Sequence, residues 1–169
     1  YMLTPTKRIL SLRNPEQKMS KSAPDANSRI LVTDSPEEIR AKVRRAVTDS
    51  ERSITYEPER RPGMSNLIAI LAAFGGGTVR ARLLGAESDP DPTSVAAVLQ
   101  EVTGGSGAKL KEVLTESIVE ALRPFQAEYT KLVQEPAYLD EIAEIGRAKA
   151  SQRAAQTVHE VRTLLGLQK

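Results

Sequence analysis

Apolar residues along this chain recur mostly three and four positions apart, the spacing of one helix face, and only a short stretch near the amino terminus alternates instead. Ile39, Val43, Ala46 and Val47 fall at i, i+4, i+7 and i+8, preceded by Thr33-Asp34-Ser35-Pro36-Glu37-Glu38. Ser35 can cap, Pro36 suits a first turn, and Glu38 stands where a capping box needs its acceptor. A helix is therefore expected to run to about Thr48. The helical pattern as a whole is expected from about residue 28. Arg40 and Arg44 lie on a face beside the apolar one, with Lys42 and Arg45 elsewhere around the cylinder. Such a helix should pack by one side and present positive charge on the rest.

Met64 to Phe74 is apolar nearly all round, the signature of a helix buried among others, and there Met64 reads as core filling rather than as a ligand. Gly75-Gly76-Gly77 lacks the lysine and hydroxyl spacing of a nucleotide loop and reads as a helix stop. Residues 86 to 92 form an acidic break before a short helix near Thr93 to Val102, and Gly104 to Gly107 reads as a flexible link. Leu110, Leu114, Ile118, Leu122, Phe125, Tyr129 and Leu132 then mark a long amphipathic stripe, expected to be core, which Pro124 should kink or divide. Ala154, Val158, Val161 and Leu165 repeat the pattern in a last helix. His159 is expected beside that packing seam, as an ordinary polar residue without a catalytic role.

The alternating exception is Arg8-Ile9-Leu10-Ser11-Leu12, which suits a terminal strand feeding a loop. That loop contains Lys18-Met19-Ser20-Lys21-Ser22 between Pro15 and Pro24, prolines that remove backbone donors and disfavour helix just before each of them. A generic pair of lysines between prolines is ordinarily a solvated loop. A fixed five-residue string of two ammonium groups and two hydroxyls is much rarer by chance and suits a triphosphate losing pyrophosphate. Lysine is a compact charge on a flexible stem, able to follow negative charge toward a leaving group.

Composition narrows the remaining classes. At 169 residues, 40% hydrophobic and 27% charged, the chain fits a soluble globular protein of one domain, or a domain and a fragment, with a real core. Lys and Arg number 24 against 22 Asp and Glu, so any nucleic-acid surface must be a local patch. No cysteine is present, which excludes disulfides and thiolate metal sites. No apolar run approaches the length of a membrane span, and the amino terminus does not resemble a targeting peptide.

Lys18 to Ser22 match the KMSKS signature of class I aminoacyl-tRNA synthetases. Around it, Arg8 to Pro15, Ala46-Val47-Thr48-Asp49-Ser50, Ile54-Thr55-Tyr56-Glu57-Pro58, Pro62-Gly63-Met64-Ser65-Asn66-Leu67, Gly107 to Glu112 and Arg123-Pro124-Phe125 resemble the tryptophanyl-tRNA synthetase family of bacterial and mitochondrial type. The resemblance covers essentially the whole chain. One departure is that many members carry an acidic residue directly after the signature, where this chain has Ala23, with Asp25 two positions on. The His-x-Gly-His signature of class I enzymes is absent, the only histidine being His159. The chain is thus expected to be the carboxy-terminal half of a synthetase, unable by itself to activate tryptophan.

The resemblance implies a mainly α fold: a helical bundle preceded by the last strand and KMSKS loop of a Rossmann-type nucleotide-binding domain. Residues 1–27 would end the catalytic domain and 28–169 would form the α-helical domain that binds the tRNA anticodon. It further implies ATP-dependent activation of tryptophan and transfer to tRNA(Trp). Lys18 and Lys21 would be catalytic. Ile9 would offer its backbone to adenine, and Lys18, Met19, Ser20, Lys21 and Ser22 would surround the phosphates. Magnesium is expected with the ATP, although no carboxylate cluster in this chain is suited to hold a metal. Arg40 and Arg44 are either a solvated face or a contact to the tRNA backbone. A non-catalytic tRNA-binding module and the tyrosyl enzyme are the alternatives, the latter fitting the Met-containing loop and the Pro62 to Leu67 segment less well. Members of the family are homodimers, while this piece is expected to be monomeric. The flank Ser22 to Asn27 resembles fungal mitochondrial members, which favours the mitochondrial matrix over a bacterial cytoplasm.

Overall fold

A computed structural model describes residues 8–74 and 91–167. The triple glycine and residues 86–90 of the acidic break lie outside the described residues. The chain divides into two compact units, Tyr1–Gln126 and Ala127–Lys169. It is mainly α, with helices α1 (Pro36–Arg44), α2 (Pro62–Ala73), α3 (Pro92–Thr103), α4 (Gly107–Val133) and α5 (Pro136–Leu164).

Helix α1 starts as its sequence requires. The Ser35 hydroxyl accepts from the Glu38 amide at 3.2 Å while the Ser35 amide donates to the Glu38 carboxylate at 2.7 Å. It ends earlier than its periodicity suggests, at Arg44, because the Val47 amide is captured by the Leu12 carbonyl at 2.8 Å. Ile39, Val43 and Ala46 are buried, but Val47 is 41% exposed. Residues 29 to 35 are not helical either. The charges around α1 also divide: Lys42 is not part of an exposed basic surface but donates to Asp34 at 2.5 Å, with both side chains largely buried.

Helix α2 is the centre of the first unit, and every residue from Met64 to Ala72 is buried. It packs on α3, and with Leu12, Ile39, Val43, Ile54, Val95, Leu99, Leu110, Leu114 and Ile118 it forms one hydrophobic cluster. Each such fully buried aliphatic side chain contributes about 1.5–3 kcal/mol. The neighbouring backbone comes so close that a Cβ at Gly63 would lie 2.4 Å from the Val47 carbonyl oxygen. Between α3 and α4 the glycines form a defined turn rather than a flexible link. Gly104 and Gly105 have φ of 64° and 80°, and a Cβ at Gly105 would lie 2.7 Å from the Arg52 carbonyl oxygen.

Helix α4 passes through Pro124 without dividing. Just beyond the proline, the Gln126 side chain donates to the carbonyls of Val32 and Asp34 at 2.8 and 2.9 Å, which holds the continuing turn. The stripe is core only as far as Leu122; Phe125 and Tyr129 are 65% and 52% exposed. In α5 no residue is buried, and Val158, Val161, Leu165 and His159 all face solvent. Periodicity states which side chains share a face, but it does not supply the second surface that would bury them.

No strand forms among the described residues. The expected strand is a single antiparallel bridge, Leu10 to Lys18. Ile9 and Ser11 pair with the returning segment, through Met19 N–H to Ile9 O at 3.0 Å and Ser11 N–H to Gln17 O at 2.8 Å. The opposite edge, at Leu10, is occupied by a side chain instead of a strand.

Arg61, at the mouth of α2, is 2% exposed. Its guanidinium forks onto Asp49 at 2.9 and 2.6 Å and also reaches the hydroxyls of Ser53 and Thr55 and the Ser53 carbonyl. Hydrogen bonding by Arg61 is the main reason the Asp49 carboxyl lies below its ordinary value of 3.8. Arg61→Ala should lower unfolding free energy by about 1–3 kcal/mol in urea titration, since it leaves the Ser53 and Thr55 hydroxyls and the Ser53 carbonyl without their shared donor. The folded-state value of Asp49 is depressed, so its contribution is complete above the unfolded value and is lost as pH falls through the folded one. Stability measured from pH 6 downward should therefore fall less steeply in Asp49→Asn than in the parent.

Candidate nucleotide-loop site

The loop is tied at its stem and free at its tip. Leu12 N–H donates to Ser28 O at 2.9 Å, closing residues 13–27 into a ring, and the Ser11 hydroxyl accepts from the amides of Arg13 and Asn14. On the trailing arm, Asp25 caps a short 3-10 turn, Ala26–Ser28, by accepting from the Asn27 amide at 2.8 Å. That bond, then the Asn27 side chain, holds the Asp25 carboxyl below its ordinary range. Arg29 donates to the carbonyls of Ala23 and Asp25 at 2.7 and 3.4 Å.

Within the ring, Met19 is half-buried and packs with Ile9 against the core, whereas Lys18, Ser20, Lys21 and Ser22 are exposed. The two serine hydroxyls lie 3.1 Å apart, and the Ala23 amide donates to the Ser20 carbonyl at 3.3 Å, which curls the tip into a turn. Among the described residues neither loop ammonium is paired with a carboxylate. Unpaired cations on a tied loop can accept an anionic ligand without first breaking an internal salt bridge.

Ile9, Lys18 and Met19 come together on a groove of about 850 Å³ that is otherwise apolar, lined by Ile30, Leu31, Val32, Ile70, Phe74 and Leu122, with Arg8 at its edge. Ser20, Lys21 and Ser22 are not among its lining residues. The apolar run Ile30-Leu31-Val32 was the available signal for this wall, and its pairing with Phe74 and Leu122 is tertiary. Arg40 and Arg44 are exposed and line a different cavity of about 980 Å³, with Lys111 and the glycine turn but also Glu51, Glu112 and Glu116. Lys111 is committed to the end of α1, donating to Arg44 O at 3.2 Å and Ala46 O at 2.8 Å, and burial pushes its pKa down. No group of three His, Cys, Asp or Glu among the described residues could hold a metal ion.

The model of the tRNA synthetases class I (W and Y) matches residues 1–123. The chain belongs to that family. It is 34% identical over 167 residues to the mitochondrial tryptophan–tRNA ligase of Saccharomyces cerevisiae, covering 98% of this chain and 40% of that protein. With the tryptophan–tRNA ligase of Bacillus anthracis it shares 35% identity over 161 residues, covering 95% of this chain and 44% of the relative. The crystal structure of tryptophanyl-tRNA synthetase from Mycoplasma pneumoniae superposes with a TM-score of 0.74 at 28% identity, over 96% of this chain and 46% of that one. The chain thus spans somewhat less than half the length of these relatives, and both mitochondrial and bacterial proteins are among them.

Proposed function

We propose that this chain carries the phosphate loop and helical part of a tryptophan–tRNA ligase, which activates tryptophan with ATP and transfers it to tRNA(Trp). Residues 1–27 are the end of its Rossmann-type domain, and 28–169 its tRNA-binding helical domain. The observation that carries this reading is a pair of exposed lysines, unpaired with any carboxylate among the described residues, on a loop whose stem is fixed at Ile9, Leu12 and Met19.

In the reaction, a carboxylate oxygen of tryptophan bonds to the α-phosphorus of ATP as the bond from that phosphorus to the oxygen bridging to the β-phosphate breaks. Pyrophosphate leaves with the electron pair. Negative charge grows on the phosphates in the transition state, where Lys18 and Lys21 counter it and the Ser20 and Ser22 hydroxyls donate. Ile9 offers its backbone to adenine beside the apolar groove. The described residues have no carboxylate cluster for a magnesium ion of their own, and no step is assigned to one. Arg40 and Arg44 contact the tRNA backbone, a role supported by their exposure on one side of α1 and balanced by the nearby glutamates. The parent enzyme is a homodimer of the mitochondrial matrix, or of a bacterial cytoplasm.

In the intact synthetase, Lys21→Ala should slow adenylate formation about 100- to 1000-fold, by analogy with loss of one preorganised donor. Single-turnover kinetics check this, and a rate within about threefold of the parent overturns the role. Replacing Arg40 and Arg44 together by Glu should weaken tRNA binding at low salt and reduce the salt slope of log K by about 1 for each lost phosphate contact. An unchanged affinity at low salt disposes of the contact.

A further inference from the structure

Asn66 is 5% exposed in the middle of a helix that is otherwise almost wholly apolar, a costly place for a carboxamide unless each of its polar atoms is used. Both are used on one residue. Its Oδ1 accepts from the Leu10 amide at 2.9 Å and its Nδ2 donates to the Leu10 carbonyl, also at 2.9 Å. The flanking residues of Leu10 turn their backbone groups the other way, Ile9 to Met19 and Ser11 to Gln17, as in an antiparallel ladder. The Asn66 side chain therefore stands where a further strand would stand, at the edge of the stem away from the loop. Leu10 is itself the residue bridged to Lys18. Two links thus join α2 to the first loop lysine: carboxamide to the Leu10 backbone, and Leu10 to Lys18.

We infer that Asn66 is a positioning residue for the nucleotide loop. It fixes the stem in rotation and in register against α2, so that the loop lysines are delivered to the phosphates at one height above the helical core. The inference rests on the phosphate role of the loop proposed above, and extends it to a side chain that touches no substrate. Leucine at this position would keep the γ-branched shape and lose both bonds, leaving two stem backbone groups without their partner. Aspartate would keep an acceptor for the Leu10 amide while placing a second acceptor against the Leu10 carbonyl.

The test is made in the intact synthetase with Asn66→Leu and Asn66→Asp, each checked for folding by circular dichroism. Adenylate formation in single turnover should slow about 10- to 100-fold, the scale expected when a reacting group is displaced by about 1 Å, with the KM for tryptophan essentially unchanged. As a control, Thr103→Val removes a buried bond to the Leu99 carbonyl in α3, away from the stem, and should lower stability without slowing the reaction. Folded Asn66 variants that keep a parental rate while Lys21→Ala is slow overturn the positioning role and leave the loop reading intact. A parental rate in Lys21→Ala overturns the loop reading itself. Hydrogen exchange on the 169-residue chain tests the tether without any substitution: the Leu10 amide should be protected like those of α2 and far more than that of Lys21. Exchange of Leu10 as fast as Lys21 overturns the inference as well.

Discussion

Backbone groups that leave regular structure and still press against a helical core must find partners there, because a buried N–H or C=O without one costs about 1–3 kcal/mol. In the first unit of this protein side chains at the start of α2 meet part of that demand, alongside Gln100 of α3 and Lys111 and Gln126 of α4. Ser65 accepts from the Glu57 amide, Asn66 takes both groups of Leu10, and Arg61 binds the Ser53 carbonyl together with Asp49 and two hydroxyls. A helix that is apolar nearly all round thus keeps two polar side chains, with Arg61 just before it, each spent on a segment that is not helical. The loop stem, the Ser53 stretch and the approach to α2 itself are held by the same turn and a half of helix.

This arrangement explains how a loop can be both tied and free. Its two ends belong to the core, through Leu12 in the hydrophobic cluster and through the bonds from Leu12 to Ser28 and Val47. Its tip carries the charge and stays in water. Burying the lysines would have demanded counter-ions. Met19 divides the two regimes, with its side chain packed on the core and the lysines on either side of it in the sequence exposed.

The positive groups of the bundle are not equivalent, although they look so along the chain. Lys42 neutralises a largely buried Asp34, Lys111 caps the carbonyl end of α1, and Arg61 is structural throughout. Arg40 and Arg44 remain on the surface. A count of cations therefore overstates the basic face that a nucleic acid would meet, and the glutamates lining the same cavity reduce it further.

Local patterns were enough to place the helices, the capping box at Ser35, the buried character of α2 and the KMSKS string, since each depends on residues within one or two turns of each other. What they could not settle was decided by contacts across the fold. The end of α1 depended on Leu12 claiming the Val47 amide, and the continuity of α4 through Pro124 on Gln126 reaching the carbonyls of Val32 and Asp34. The expected strand is a single bridge among the described residues, and the other edge of Leu10 is bonded by Asn66, 56 residues away. Phe125, Tyr129 and the α5 stripe kept the right period and stayed exposed. Periodicity fixes which way a side chain points, whereas burial and pairing need a second surface, and the position of that surface is a property of the folded chain alone.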